Sequence, residues 1–346
     1  MKEKKNECPA DVNPLLWENA MRNDYRDSVN EYVERRKQEL VSMRNAVLHL
    51  SETEKREKLL QMLGEPLVGN FSKSIRLIKT EDVYSDEVLE AKRYTFEILG
   101  CIHFSGFIYR TAKKTENKKA LIFALHGGGG TPERVGDVFH DSDNYNQMVR
   151  RVLNENTLVF APQLMLWNPE LYGSEYDRTW LNRRLIQQGG SFTALEIFCL
   201  MRILDWFETN PEVDTLRTGV IGLSYGGMYA LYFAAAETRV KSVISDCWFN
   251  DRTKYVWHDW MYFNAEKLML DTEVASLILP RKLYIEIGKE DPTFLYTDAK
   301  EEVERLLSYA KEVGEIGNLR LLAFNGGHEL NKDNATIIEF LKDLQT

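Results

Sequence analysis

A chain of 346 residues, 44% apolar and 28% charged, can bury one large core and still carry an extension. Its formal net charge of −9 works against phosphate backbones and anionic membrane surfaces, so neither nucleic acid nor membrane is expected as a partner. Four scattered cysteines (Cys8, Cys101, Cys199 and Cys247) form no C-x-x-C pair, which argues against a zinc site and requires no disulfide.

The charged start, Met1–Lys5, is followed by no apolar segment of signal-peptide character, and no run is long enough to span a membrane; a cytoplasmic chain is expected. Residues 11–63 have helical periodicity. Leu15, Leu16 and Trp17 begin an apolar stripe, which Tyr32, Val33, Leu40, Val41, Met43, Val47 and Leu50 continue. Ser51 and Glu54 form a capping-box pattern that opens a further helix. Residues 1–90 thus read as a helical extension, with 91–346 as the main domain. The extension reads as packed on the main domain, with a partner-binding or homo-oligomerisation helix pair as the alternative.

Arg93–Leu99 and Phe104–Arg110 alternate in polarity and predict an antiparallel strand pair at a sheet edge. Ala120–Leu125 is continuously apolar, as a strand covered on both faces must be. Further strands are predicted at Thr157–Pro162, Arg217–Leu223, Val240–Ser245, Lys282–Ile287 and Leu319–Phe324. Helical segments are expected near 133–153, 192–209, 226–237, 297–312 and 332–344. Such alternation predicts an α/β fold, a mostly parallel doubly wound sheet flanked by helices. Right-handed crossovers put the strand C-terminal ends on one rim. Residues 163–190 and 246–270 read as long irregular connections at that rim, rich in aromatics. Trp167, Trp180 and Trp248 are the candidates there for lining a substrate pocket.

Three loops at strand exits carry chemistry. Gly222-Leu223-Ser224-Tyr225-Gly226 places a serine on a strand-to-helix turn, where a hydroxyl can be presented as a nucleophile. His328 follows the last strand in Gly326-Gly327-His328 and suits a general base. Asp291, in Gly288-Lys289-Glu290-Asp291, is the favoured acid to orient it, with Glu290 and Asp246 as alternatives. His126 is followed by four glycines, whose bare backbone could aim an amide at an oxyanion. The amide of Gly128, or else Gly129, would act with that of Tyr225. No G-K-[ST] ending or G-x-G-x-x-G fingerprint marks a nucleotide site.

With these loops in this order, the chain resembles the α/β-hydrolase superfamily over roughly residues 90–346. Within it, Ser224–Gly227, Ala234–Val240 and Asn182–Leu185 are similar to stretches of the dienelactone-hydrolase and acetyl-xylan-esterase-like group. The resemblance implies a serine esterase acting on a small-molecule or carbohydrate ester, with no cofactor and no metal. The cysteine nucleophile of true dienelactone hydrolases is replaced here by Ser224. A prolyl-oligopeptidase-like peptidase and a catalytically idle binding protein on the same fold are the alternatives.

Overall fold

The computed structural model describes residues 13–113, 117–139 and 142–345. Cys8, His140, part of the polar turn (114–116) and the side chain of Trp17 lie outside what is described. In chain order the elements are α1 (Pro14–Leu48), α2 (Glu52–Leu63), β1 (Ile75–Ser85), β2 (Leu89–Ile98), β3 (Ile102–Thr111) and β4 (Lys119–Leu125). Next come α3 (Pro132–Gly136), α4 (Met148–Val152), β5 (Thr157–Pro162), α5 (Pro169–Tyr172), α6 (Arg178–Gln187), α7 (Phe192–Glu208), β6 (Val213–Leu223) and α8 (Tyr225–Ala236). The chain ends with β7 (Val240–Asp246), α9 (Ala265–Leu268), α10 (Asp271–Ser276), β8 (Lys282–Gly288), α11 (Tyr296–Glu312), β9 (Leu319–Phe324) and α12 (Ala335–Asp343).

Nine strands form one sheet in the order β1-β2-β3-β5-β4-β6-β7-β8-β9. Pairings from β1 through β3 to β5 are antiparallel, and those from β5 to β9 are parallel. Strand periodicity sorts the core into two layers. Leu121, Phe123 and Leu125 of β4 face α7 and α8 in one cluster. Ile122 and Ala124, pointing the other way, join α3, α4 and α12 in the second. Both faces are covered, which is why these strands carry no polar alternation.

Three expectations change. The sheet starts at Ile75, inside the residues read as a helical extension, so β1 rather than the β2–β3 pair forms the edge. β1 is half-exposed and its pairing with β2 shifts register twice, which blurs its alternation. The helix expected over 133–153 is two short helices, because Asp137 (φ 54°) and Phe139 (φ 65°) take left-handed backbone after α3. The irregular stretch 163–190 contains α5 and α6, each capped by an acceptor side chain, Asn168 and Asp177.

The C-terminal half of α1 and all of α2 are built into the body. Val47, Leu48, Leu59, Met62 and Leu63 belong to the main core cluster. α1 packs on α9 and α10, and α2 on α7, α8 and α9. Among the described residues no helix is long and apolar enough to cross a membrane.

Candidate active site

Ser224 sits between β6 and α8 with φ 60° and ψ −124°, a strained backbone for a residue with a side chain. Its amide donates to the Asp246 carbonyl (2.9 Å), which fixes the turn to β7. The flanking glycines are required by space. A Cβ on Gly222 would lie 2.1 Å from the Gly226 carbonyl oxygen, and one on Gly226 would lie 2.0 Å from that of Leu125. The turn therefore packs directly against the end of β4, and Ser224 is left 9% exposed at the rim.

The glycine loop after β4 lies against this turn. A Cβ on Gly127 would meet the Leu223 oxygen at 2.8 Å and the Ser224 Cβ at 3.0 Å, and one on Gly128 would rest 3.6 Å from the Tyr225 ring. The loop's amides are mostly occupied. Gly127 N–H donates to the Tyr145 hydroxyl (2.9 Å), Gly129 to the Leu166 carbonyl (2.6 Å) and Gly130 to the Gly127 carbonyl (3.1 Å). Gly128 is thus the loop amide without a partner among the described residues. It lies beside the N-terminus of α8, whose first amide belongs to Tyr225 and has no partner within the helix.

His126 anchors this loop. Its Nδ1 donates to the Gly127 carbonyl (2.9 Å), and its Nε2 accepts from the Leu164 amide (3.0 Å). Both nitrogens are committed to the neutral ring. Complete burial pushes its pKa down to about 4. It is a structural post, not an available base.

The loops after β8 and β9 meet at the same rim. A Cβ on Gly288 would lie 2.2 Å from the Gly327 oxygen, so the two loops touch through bare backbone. Across this contact His328 Nδ1 and Asp291 Oδ2 are 2.8 Å apart. The other Asp291 oxygen accepts the Thr293 and Phe294 amides (2.7 and 3.1 Å), which holds the carboxylate in place. Asp291 is 3% exposed, while the His328 side chain keeps 20% of its surface. Asn144 pins the histidine loop from the far side, donating to the His328 carbonyl (3.2 Å) and accepting from Leu330 N–H (2.7 Å). The alternatives to Asp291 are engaged elsewhere. Asp246 accepts from Asn331 N–H (2.7 Å), and burial with the neighbouring Glu286 carboxylate pushes its pKa well up. Glu290 is exposed.

Among the described residues, Cys247 Sγ, Asp291 and His328 gather donor atoms within 4.8 Å of one another. These donors are not free to ligate. The thiol is engaged with the Glu329 and Gly327 carbonyls (3.4 and 3.6 Å), burial pushes its pKa up, and the carboxylate is committed to the imidazole.

The aromatic candidates divide. Trp248 is 2% exposed and lies under the Arg252 guanidinium (3.7 Å), so it supports the site from within the core and does not line a pocket. Trp167 stands beside the glycine loop, its backbone bridged to Gly129 and its ring 4.4 Å from that of Tyr176. Trp180 is 54% exposed on α6, with the Arg184 guanidinium over its ring. Trp257, by contrast, is 43% exposed and stacked on Trp260 (4.4 Å, 15°), 6.3 Å from the Tyr225 ring. It also contacts Phe294, which packs edge-on to His328 (5.7 Å).

A buried polar cluster behind Tyr225 was not legible from motifs. The Tyr225 hydroxyl donates to Asp259 (2.9 Å) and Arg178 Nε donates to the same carboxylate (2.8 Å). Arg178 also reaches Glu196 and the Tyr229 hydroxyl (2.7 Å). Asp259 lies among tryptophans in a loop with no recognisable pattern; only the oddity of a carboxylate there could have drawn attention to it.

This arrangement, with a serine elbow after β6, a glycine loop after β4 and acid and histidine loops after β8 and β9, defines the α/β-hydrolase fold. Solved structures agree on that fold. A candidate acetyl xylan esterase from Bacteroides fragilis NCTC 9343 matches with a TM-score of 0.65 at 14% identity, over 85% of this chain and 87% of that one. A glucuronoyl esterase from Solibacter usitatus matches with a TM-score of 0.62 at 14% identity, over 85% and 92%. Acetyl xylan esterase 1 from Thermoanaerobacterium sp. JW/SL YS485 matches with a TM-score of 0.53 at 15% identity, over 85% and 94%. No family model and no curated protein sequence matches the chain.

Proposed function

We propose that this chain is a serine hydrolase of carboxylic esters. Ser224 Oγ is the nucleophile in this reading. His328 Nε2 takes its proton, and Asp291 holds the opposite nitrogen and stabilises the imidazolium. The ester carbonyl oxygen becomes an anion in the tetrahedral intermediate, and the amides of Gly128 and Tyr225 donate to it. The C–O bond to the alcohol then breaks, with His328 protonating the leaving oxygen. Water, deprotonated by the same histidine, releases the acid from the acyl-enzyme. The observation that carries this reading is the 2.8 Å contact of His328 with the buried, doubly anchored Asp291, on the rim where Ser224 takes its strained turn.

We infer further that the ester is borne on a carbohydrate. The half-exposed Trp257, backed by Trp260, offers a flat apolar face beside Tyr225 suited to a sugar ring. The esterases named above share the fold, which adds to this choice over a peptide. The test is Ser224→Ala with p-nitrophenyl acetate and with acetylated xylo-oligosaccharides. Turnover of both should vanish while the circular dichroism spectrum is unchanged. Retained turnover, or no labelling of Ser224 by a fluorophosphonate probe in the parent chain, would reject the mechanism.

A further inference from the structure

The helix α1 is two different objects along its length. From Leu40 onward it is seated on the body, with Arg44, Val47 and Leu48 buried. From Pro14 to Arg35, roughly 33 Å at 1.5 Å per residue, every side chain the structure describes is exposed. That arm is not polar all round. Met21 (62% exposed), Tyr25 (73%), Val29 (42%), Tyr32 (54%) and Val33 (54%) form a stripe. Its steps of three and four residues, Val29, Val33, Arg36, Leu40, Arg44, Val47, run without a break into the face that packs on α9 and α10. The stripe therefore continues an established packing face past the edge of the molecule that uses it.

An isolated helix in water is held by little beyond its own hydrogen bonds, and an exposed row of tyrosines and valines costs free energy. The pattern of the arm specifies what would cover it. Reflected about Asp27, Met21 falls opposite Val33, Tyr25 opposite Val29, and Glu18 opposite Arg36. Two antiparallel copies of one helix, related by a two-fold axis near Asp27, would thus bring apolar residues onto apolar residues and a carboxylate onto a guanidinium at each end. The arm's charge also permits this. Residues 18–36 carry Arg22, Arg26, Arg35 and Arg36 against Glu18, Asp24, Asp27, Glu31 and Glu34. Within a chain of net charge −9, this is a nearly balanced segment that a second copy can approach without strong repulsion.

We propose that the N-terminal arm is a dimerisation element, and that its apolar stripe is covered by the same arm of a second copy in antiparallel register. The proposal is independent of the reaction assigned to Ser224.

Light scattering after size exclusion, and sedimentation velocity at roughly 1 to 100 µM, test it on the full chain. The expected mass is twice 40.3 kDa, falling to the single-chain value on dilution. Val29→Glu should give only the monomer, with the melting temperature of the body unchanged, whereas Leu216→Glu, at an exposed residue elsewhere (75%), should leave the dimer intact. Arg36→Glu should weaken the dimer and Glu18→Arg combined with Arg36→Glu should restore it, a rescue that general helix damage would not produce. A single-chain mass throughout, or a dimer that survives Val29→Glu, would overturn the proposal; in the first case the stripe would have to meet a different protein.

Discussion

The hydroxyl of Tyr225 donates to the Asp259 carboxylate at 2.9 Å, tying the residue after the elbow serine to a loop 34 residues further along the chain. Asp259 is held in turn by Arg178 from α6, and Arg178 by Glu196 of α7 and Tyr229 of α8. The two aromatic connections of the rim, 163–190 and 246–270, are thereby joined over the backbone amide that would receive the oxyanion. A side-chain network of this kind sets the direction of a main-chain donor, which is what electrostatic preorganisation requires.

Removing the cation of this network should be more harmful than softening its anion. Arg178→Met would leave Glu196 and Asp259 buried without their partner, and should cost about 3 to 5 kcal/mol of stability. Asp259→Asn keeps an acceptor for Tyr225, so it should cost less and act mainly on kcat, with KM nearly unchanged. Urea unfolding of both variants, with kcat and KM measured separately, checks the ranking. Equal stability losses would contradict it.

Asp291 and Asp246 leave neighbouring strand exits, but only Asp291 faces the imidazole. Asp291→Asn should lower kcat by about three to four orders of magnitude with the fold intact, as expected when a histidine loses its tautomer-fixing carboxylate. Asp246→Asn should leave kcat at the parent level. Steady-state kinetics on p-nitrophenyl acetate separates them, and the reverse ranking would reassign the acid.

The glycines of the site should respond unequally to a single methyl group. Gly226→Ala drives a Cβ to 2.0 Å from the Leu125 carbonyl and should destabilise by about 3 kcal/mol or more. Gly128→Ala meets only the Tyr225 ring at 3.6 Å, an ordinary contact, and should fold with the parent's melting temperature. Its cost should appear in turnover, where the new methyl group crowds the oxyanion. Thermal melts paired with kcat values check both halves.

The buried His126 makes stability depend on pH in a defined window. Its folded pKa, about 4, lies below the ordinary value of 6.5. Between these values the unfolded chain binds a proton that the folded chain refuses. Stability from this group is therefore intact above pH 6.5 and is lost progressively as pH falls toward 4, by about 3 kcal/mol in total. Urea unfolding across pH 4 to 7 should show this slope. His126→Gln should be less stable at pH 7 but flatter across the window; an equally steep profile in that variant would place the titration elsewhere.

Much of this molecule follows from local pattern. The continuous apolar runs of β4 and β5 mark covered strands because both faces of the sheet are buried. The capping box at Ser51 and Glu54 forms as its spacing dictates, since it needs only residues four apart or fewer. The glycines around Ser224 mark a tight strand-to-helix turn for the same local reason. Where the pattern is weak, the sequence is silent: β1 is half-exposed and irregular in register, so neither face imposes a period on it.

What tertiary structure alone decides is contact between residues distant in the chain. Loop position along the chain favours Asp291 over Asp246 but brings neither to His328; the close approach of Gly288 to Gly327 does that for Asp291. Trp248 and Trp257 look alike as loop aromatics, yet one is roofed by Arg252 and buried while the other keeps an open face. The Gly128 amide left without a partner among the described residues, the Arg178 network and the outward stripe of α1 exist only once β4, α6, α7 and the body of the fold have taken their places. Sequence periodicity reports which surface an element must bury. The burial partner is set by the packing of the whole chain, because the free energy of that contact belongs to both surfaces together.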